Sequence, residues 1–205
     1  MKGFVLSLTR ARNEDMVVTV LGERTLGRYY RFYGARHSIL QVGHLIDFEL
    51  EGESGPYLPR MRHLRHYGFD WIHDRNRRMI WQAFLQRFEP HLRDSETLES
   101  FYFELLLDAA RRWSRQNPRR IVVESYHTLL RHEGRLHVDW DCYVCERPVE
   151  TTVSLMAAFH PAHPACIYGP ALDREQIETF FATGKTLYLD DATVEHLYEV
   201  VLKGL

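Results

Sequence analysis

The 205-residue sequence predicts an α+β multidomain protein, with a small β-barrel over residues 1–70 and a mainly α-helical domain over 71–205. Three observations carry this reading. Short runs rich in Val, Leu, Phe and Tyr, punctuated by turn residues, fill the first 70 positions. The apolar period then lengthens to that of helices from about Trp71. All three cysteines fall within an irregular stretch at about 137–170, where a metal would supply order that the segment cannot build by itself.

Taken in order, the expected strands are Gly3–Thr9, Met16–Leu21, Thr25–Tyr33, His44–Leu50 and Tyr57–Tyr67. Asn13-Glu14-Asp15, Gly22, Gly34, Gly43 and the cluster from Gly52 to Pro56 separate them. Five strands at this spacing suit a barrel that closes its own edges. Met79, Ile80, Ala83, Phe84, Phe88 and Leu92 then mark one face of a first helix, with Pro90 near its end. Asp94-Ser95 offers the cap of a second helix, whose stripe runs from Leu98 to Trp113. Asn117-Pro118 opens a third, because proline at the first helical position loses no hydrogen bond. It should end at about Glu133, with Gly134 just beyond. Asp173 with Gln176 caps a fourth, and Val194, Leu197, Tyr198 and Val201 form the stripe of a fifth.

Cys142-x2-Cys145 and His163-x2-Cys166 stand 17 residues apart. Each tight turn aims two ligands at one point, so the two pairs suit a tetrahedral Zn2+ of the closed, structural type. His160 lies three residues before His163 and competes for the fourth position. The competing reading is buried thiols with a surface histidine. A redox dithiol fits less well, since no thioredoxin-like βαβ pattern surrounds the pair.

The formal net charge of −2, from 26 Lys+Arg and 28 Asp+Glu, argues at first against a nucleic-acid partner. The distribution argues otherwise. Residues 1–40 carry seven cations and three anions, and all but three of the chain's cations are arginine. Arginine's planar fork grips phosphate and carboxylate. Within Arg28-Tyr29-Tyr30-Arg31-Phe32-Tyr33, strand alternation puts Tyr30 and Phe32 on one face and Tyr29, Arg31 and Tyr33 on the other. An outward face of rings and guanidinium groups suits a single strand of nucleic acid, so Arg10, Arg12, Arg28, Tyr29, Arg31 and Tyr33 are candidate contacts. The alternative places the rings in the barrel core and leaves the arginines as ordinary surface. A second cluster, Arg111, Arg112, Arg115, Arg119 and Arg120, spans 111–120 without an anion and suits DNA or an acidic partner.

No catalytic site is expected. The sequence has no phosphate-binding glycine loop, no G-x-S-x-G elbow and no H-E-x-x-H helix, and its twelve histidines form no pairing that specifies chemistry. No apolar run approaches a membrane span, so a cytoplasmic protein is expected. An interaction scaffold that binds no nucleic acid and a metal-dependent hydrolase are the other classes left open. Salt-dependent DNA binding would set the first aside, and four protein ligands on the metal the second.

Two segments resemble the RecO family of bacterial recombination mediators, most of all the short form of the Campylobacter and Helicobacter group. One is Gly34-Ala35-Arg36 with Ser38; the other is Glu124-Ser125-Tyr126-His127-Thr128-Leu129-Leu130, closed by Gly134 and leading into Cys142-x2-Cys145. The resemblance implies an OB-fold barrel, a helical C-terminal domain and an embedded zinc site. It also implies binding to single- and double-stranded DNA, annealing of complementary strands and a nucleoid-associated place in the cytoplasm. The implied partners are RecR, the acidic C-terminal tail of single-stranded DNA-binding protein and, indirectly, RecA. Arg36 becomes a DNA contact, and Cys142, Cys145 and Cys166 fall on ligand positions. His163-x2-Cys166 stands where zinc-binding relatives tend to have two cysteines, and few basic residues follow Arg36.

Overall fold

The first strand, β1 (Lys2–Arg10), runs Phe4-Val5-Leu6 without alternation, and all three side chains are buried. A strand buried on both faces needs a partner on each, and this requirement organises the first half of the protein. A computed structural model describes residues 1–32, 40–52, 57–95 and 97–205. In it, β1, β2 (Met16–Gly22), β3 (Leu26–Arg31), β4 (Leu45–Glu51) and β5 (Arg60–Tyr67) form a closed barrel in the order β1-β2-β3-β5-β4. β3 and β5 pair in parallel, and Gly3 opposite Ile46 closes the ring between β1 and β4. Val5, Val18, Val20, Tyr29, Ile46, Phe48 and Met61 fill the interior.

The other face of β1 is covered by helices. Phe4 packs against Trp81 and Phe103, with ring centroids 5.8 and 5.6 Å away. Trp81 belongs to α1 (Arg75–Leu85) and Phe103 to α3 (Phe101–Arg112), with α2 (Phe88–Leu92) between them. Trp71, Trp81 and Trp113 meet in one cluster, and each indole N–H donates to a backbone carbonyl, that of Ala110, Gly43 and Arg77 respectively. Gly43 sits at φ +92°, and a Cβ there would stand 2.6 Å from Trp81 Cδ1. The compact unit therefore runs through Ser114, beyond the strands themselves.

Three details differ from the sequence expectation. The first expected helix is two, because the Pro90 ring would collide with the carbonyl of residue 86 in a continuous helix. The second begins at Phe101 behind Ser100, so Asp94-Ser95 is not its cap. The last barrel strand begins at Arg60, and the third ends at Arg31.

The second compact unit comprises Arg115–Leu205. Its axis is α4 (Pro118–His132), whose Asn117 side chain accepts the Arg119 N–H at 2.9 Å. Gly134, at φ +67°, ends it: Gly134 N–H donates to Arg131 and Arg135 N–H to Leu130, which satisfies the last carbonyls. A small sheet of β6 (Thr152–Leu155), β7 (Pro161–Ala162) and β8 (Leu172–Asp173) follows, with a one-turn helix, α5 (Pro164–Ile167), between the last two strands. α6 (Arg174–Thr183), capped by Asp173 as expected, and α7 (Asp191–Leu202) complete the unit. α7 lies against α4. Tyr126 on α4 accepts the Ala158 N–H at 3.0 Å and so holds a turn in which Ala158 and Phe159 both have φ +55°.

Candidate metal centre and nucleic-acid interface

The loop from Asp141 to Pro148 is a tight knuckle. Asp141 bridges to Pro148, Cys142 N–H donates to Arg147 and Glu146 N–H returns to Cys142. These bonds turn the Cys142 and Cys145 side chains toward each other. Tyr143 N–H donates to Pro161, which brings in the second pair, and α5 raises Cys166 one turn beyond His163. The ligand atoms of Cys142, Cys145, His163 and Cys166 all lie within 4.8 Å of one another. Tetrahedral Zn–S bonds of about 2.3 Å would set neighbouring sulfurs roughly 3.8 Å apart, so the four fit one ion.

The tautomer of His163 fits as well. Its Nε2 lies 3.0 Å from the Pro148 carbonyl, an acceptor, so Nε2 carries the proton. The Nδ1 lone pair then faces Cys145 Sγ at 3.4 Å and Cys166 Sγ at 3.9 Å. A metal-binding histidine is commonly held by such a second bond. His160, the competitor, is turned away into a stack with Tyr143 and His137.

The thiols differ electrostatically. Burial opposes ionisation of Cys142, yet backbone N–H groups of His163, Cys145 and Val144 bring it down to about 6. Burial raises Cys166, and the two neighbouring sulfurs push it further, to about 11. Ionising all three requires a cation to cancel their repulsion, which is what a divalent ion supplies. The four residues are thus close enough, and of the right chemistry, to hold a metal ion.

On the barrel, strand parity is as expected but its direction is reversed. Tyr29 opposes Val18 across β2 and is only 7% exposed, 5.2 Å from the Phe48 ring. Its place as a DNA contact is corrected: the ring is core. Tyr30 and Phe32 face outward instead, edge to face at 5.2 Å, with Phe32 43% exposed. The Arg60 guanidinium lies 5.0 Å over the Phe32 ring. With Val17, Tyr57 and Leu58 these residues line an open groove of about 540 Å³. Tyr30 is anchored beneath it, its hydroxyl donating to the buried Asp15 carboxylate at 2.5 Å. That bond, with burial and the Asp15 charge behind it, raises the phenol above its ordinary value.

The sequence reading missed Arg60, Tyr57 and the outward role of Tyr30 and Phe32. Arg60-Met61-Arg62, with only the methionine buried, is the signal that could have found the cation.

Residues 1–72 match the family model described as RecO N terminal. The barrel is thus similar to RecO N-terminal domains. The match covers the five strands and ends at Ile72, and it supports a RecO-type protein with a role in DNA repair. No curated protein matches the chain.

The other residues that the sequence singles out lie as follows. Arg10, Arg12 and Arg28 are exposed on the barrel. Arg31 is half-buried and donates to the Met61 carbonyl at 2.9 Å. Tyr33 and Arg36, with the whole Gly34-Ala35-Arg36 segment, lie outside the described residues. Of the second arginine cluster, Arg112 pairs with Asp108 at 2.9 Å. Arg119 pairs with Glu195 at 2.8 Å and lies over Tyr198, and Arg120 donates to Thr186, Leu189 and Asp191. Arg111 and Arg115 are exposed. No helix among the described residues is long and apolar enough to cross a membrane.

Proposed function

We propose that the protein is a non-enzymatic mediator of DNA repair and homologous recombination. In this reading it binds DNA through its barrel, anneals complementary single strands and assists RecA loading together with RecR. The observation that carries the DNA reading is the groove in which Arg60 covers Phe32 beside Tyr30, on a barrel matching the RecO N-terminal model. Exposed rings stack unpaired bases, and Arg60, Arg10, Arg12 and Arg28 neutralise the phosphates beside them. Two strands whose charges are partly cancelled repel each other less, which is the physical basis of annealing. Arg36 extends the same role. The Cys3His cluster holds Zn2+, whose four bonds tie the loop that carries Cys142 and Cys145 to α5. The exposed Arg111 and Arg115 are the members of the second cluster offered to DNA or to the acidic tail of single-stranded DNA-binding protein.

Binding to an oligo-dT 20-mer, measured from 50 to 300 mM salt, tests the proposal. Affinity should fall steeply with salt, and Arg60→Ala should flatten the log–log slope by about 0.7, one single-strand phosphate contact. Salt-independent binding, or no binding, would favour a scaffold that uses the barrel for protein alone.

A further inference from the structure

The knuckle exposes a face that the metal does not use. Tyr143 and Val144, the two residues between Cys142 and Cys145, are 64% and 51% exposed. Exposed apolar surface gathered on one rigid turn marks a docking face. Tyr143 is held in place by its neighbours: its ring stacks on His160 at 4.5 Å with an interplanar angle of 22°, and His160 lies 4.7 Å from His137. The three rings wall an open cavity of about 650 Å³.

Charge selects the occupant. Asp139, Asp141 and Glu146 line the cavity, and among the described residues that line it there is no lysine or arginine. All three carboxylates are exposed, and among the described residues their side chains make no hydrogen bond or ion pair. A phosphate chain is repelled by such a lining. A guanidinium suits it, because its flat face lies on a ring while its edge forks onto carboxylate. We propose that this face docks an arginine-bearing segment of a partner protein, the guanidinium resting on Tyr143 and bonding to these carboxylates. This site lies beyond the DNA reading and uses none of the barrel residues.

The test uses the metal-loaded full chain and labelled hexa-arginine and hexa-lysine peptides, read by fluorescence anisotropy. Hexa-arginine should bind more tightly than hexa-lysine. Tyr143→Ala should weaken it roughly two- to fivefold, while Tyr143→Phe, which keeps the ring, should not. The triple variant Asp139→Asn, Asp141→Asn, Glu146→Gln should weaken it about tenfold or more. A control pair on other exposed carboxylates, Glu175→Gln with Glu199→Gln, should change it less than about twofold, a surface-charge effect. Metal content, measured for each variant, should stay at the wild-type level, since none of these residues is a ligand.

Equal losses in the triple variant and the control would overturn the site, leaving only general acidity. Equal affinity for the two peptides would overturn the assignment to arginine. Loss of oligo-dT binding in the same variants would assign the face to nucleic acid instead. The barrel reading stands or falls separately, on Arg60→Ala.

Discussion

Two neighbouring rings, Tyr29 and Phe32, should respond in opposite ways to truncation. Tyr29 is 7% exposed and packs on Phe48 in the barrel interior, whereas Phe32 is 43% exposed under the Arg60 guanidinium. Removing a buried aromatic side chain costs about 3–5 kcal/mol in transfer energy and cavity. Tyr29→Ala should therefore lower the unfolding free energy by about that amount, a large share of the ~5–15 kcal/mol that holds a typical domain together. Phe32→Ala should cost less than about 1 kcal/mol in stability, because nearly half its surface already faces water. The order reverses for DNA. A base–aromatic stack contributes about 1–3 kcal/mol, so Phe32→Ala should weaken oligo-dT binding roughly 5- to 150-fold. Tyr29→Leu, which keeps the interior filled, should bind DNA like wild type. Urea unfolding gives the stabilities and anisotropy the affinities. Folded Tyr29→Leu with weakened DNA binding, beside a Phe32→Ala variant that binds normally, would refute the placement of the groove.

Three further outcomes follow from the same geometry. The purified protein should hold one zinc per chain; His163→Ala should lower metal affinity in a chelator competition by at least the roughly 10–100-fold typical of losing an outer-shell partner, and strong chelator should lower the thermal midpoint of the wild type. Burial holds His127 below its ordinary value despite its bond to the Phe181 carbonyl, and burial with His44 and His73 nearby does the same for His66. Both are bases favoured in their neutral form by folding, so the unfolded chain binds more protons at low pH. Their contribution is present above about pH 6.5 and is lost as pH falls through that value toward the folded-state pKa. Urea midpoints at pH 7.5 and 5.5 should show the decline, and His127→Gln should reduce it. Gly43→Ala should cost about 2–4 kcal/mol, from a left-handed backbone and a Cβ forced against Trp81, and a thermal shift assay reads it directly.

Much of the architecture is legible from local chemistry. Strand runs, the Asn117 and Asp173 caps and Gly134 beyond α4 are short-range features, and the structure realises each of them. The split at Pro90 was equally local, and the proline rule applied at residue 86 would have found it. The metal cluster was legible because two-residue spacing is itself a geometric statement. Its fourth ligand was not: His163 and His160 differ only in the partners they meet, Pro148 for one and Tyr143 with His137 for the other. The arginine cluster shows the same limit. No anion lies within 111–120, yet Arg119 and Arg120 find Glu195 and Asp191 on α7, far along the chain.

By itself, then, the sequence determined a strand-rich first part, a helical second part, two residue pairs at metal-ligand spacing and the alternation within β3. Periodicity, caps and spacing act over a few residues, so these features survive without knowledge of the fold. The tertiary structure alone decided which side of each strand is inside. β1 and β2 are apolar on consecutive positions, so alternation in β3 could not say whether Tyr29 or Tyr30 faced the core. Barrel closure settled it, because Tyr29 opposite Val18 fills the interior and leaves Tyr30 and Phe32 to line the groove.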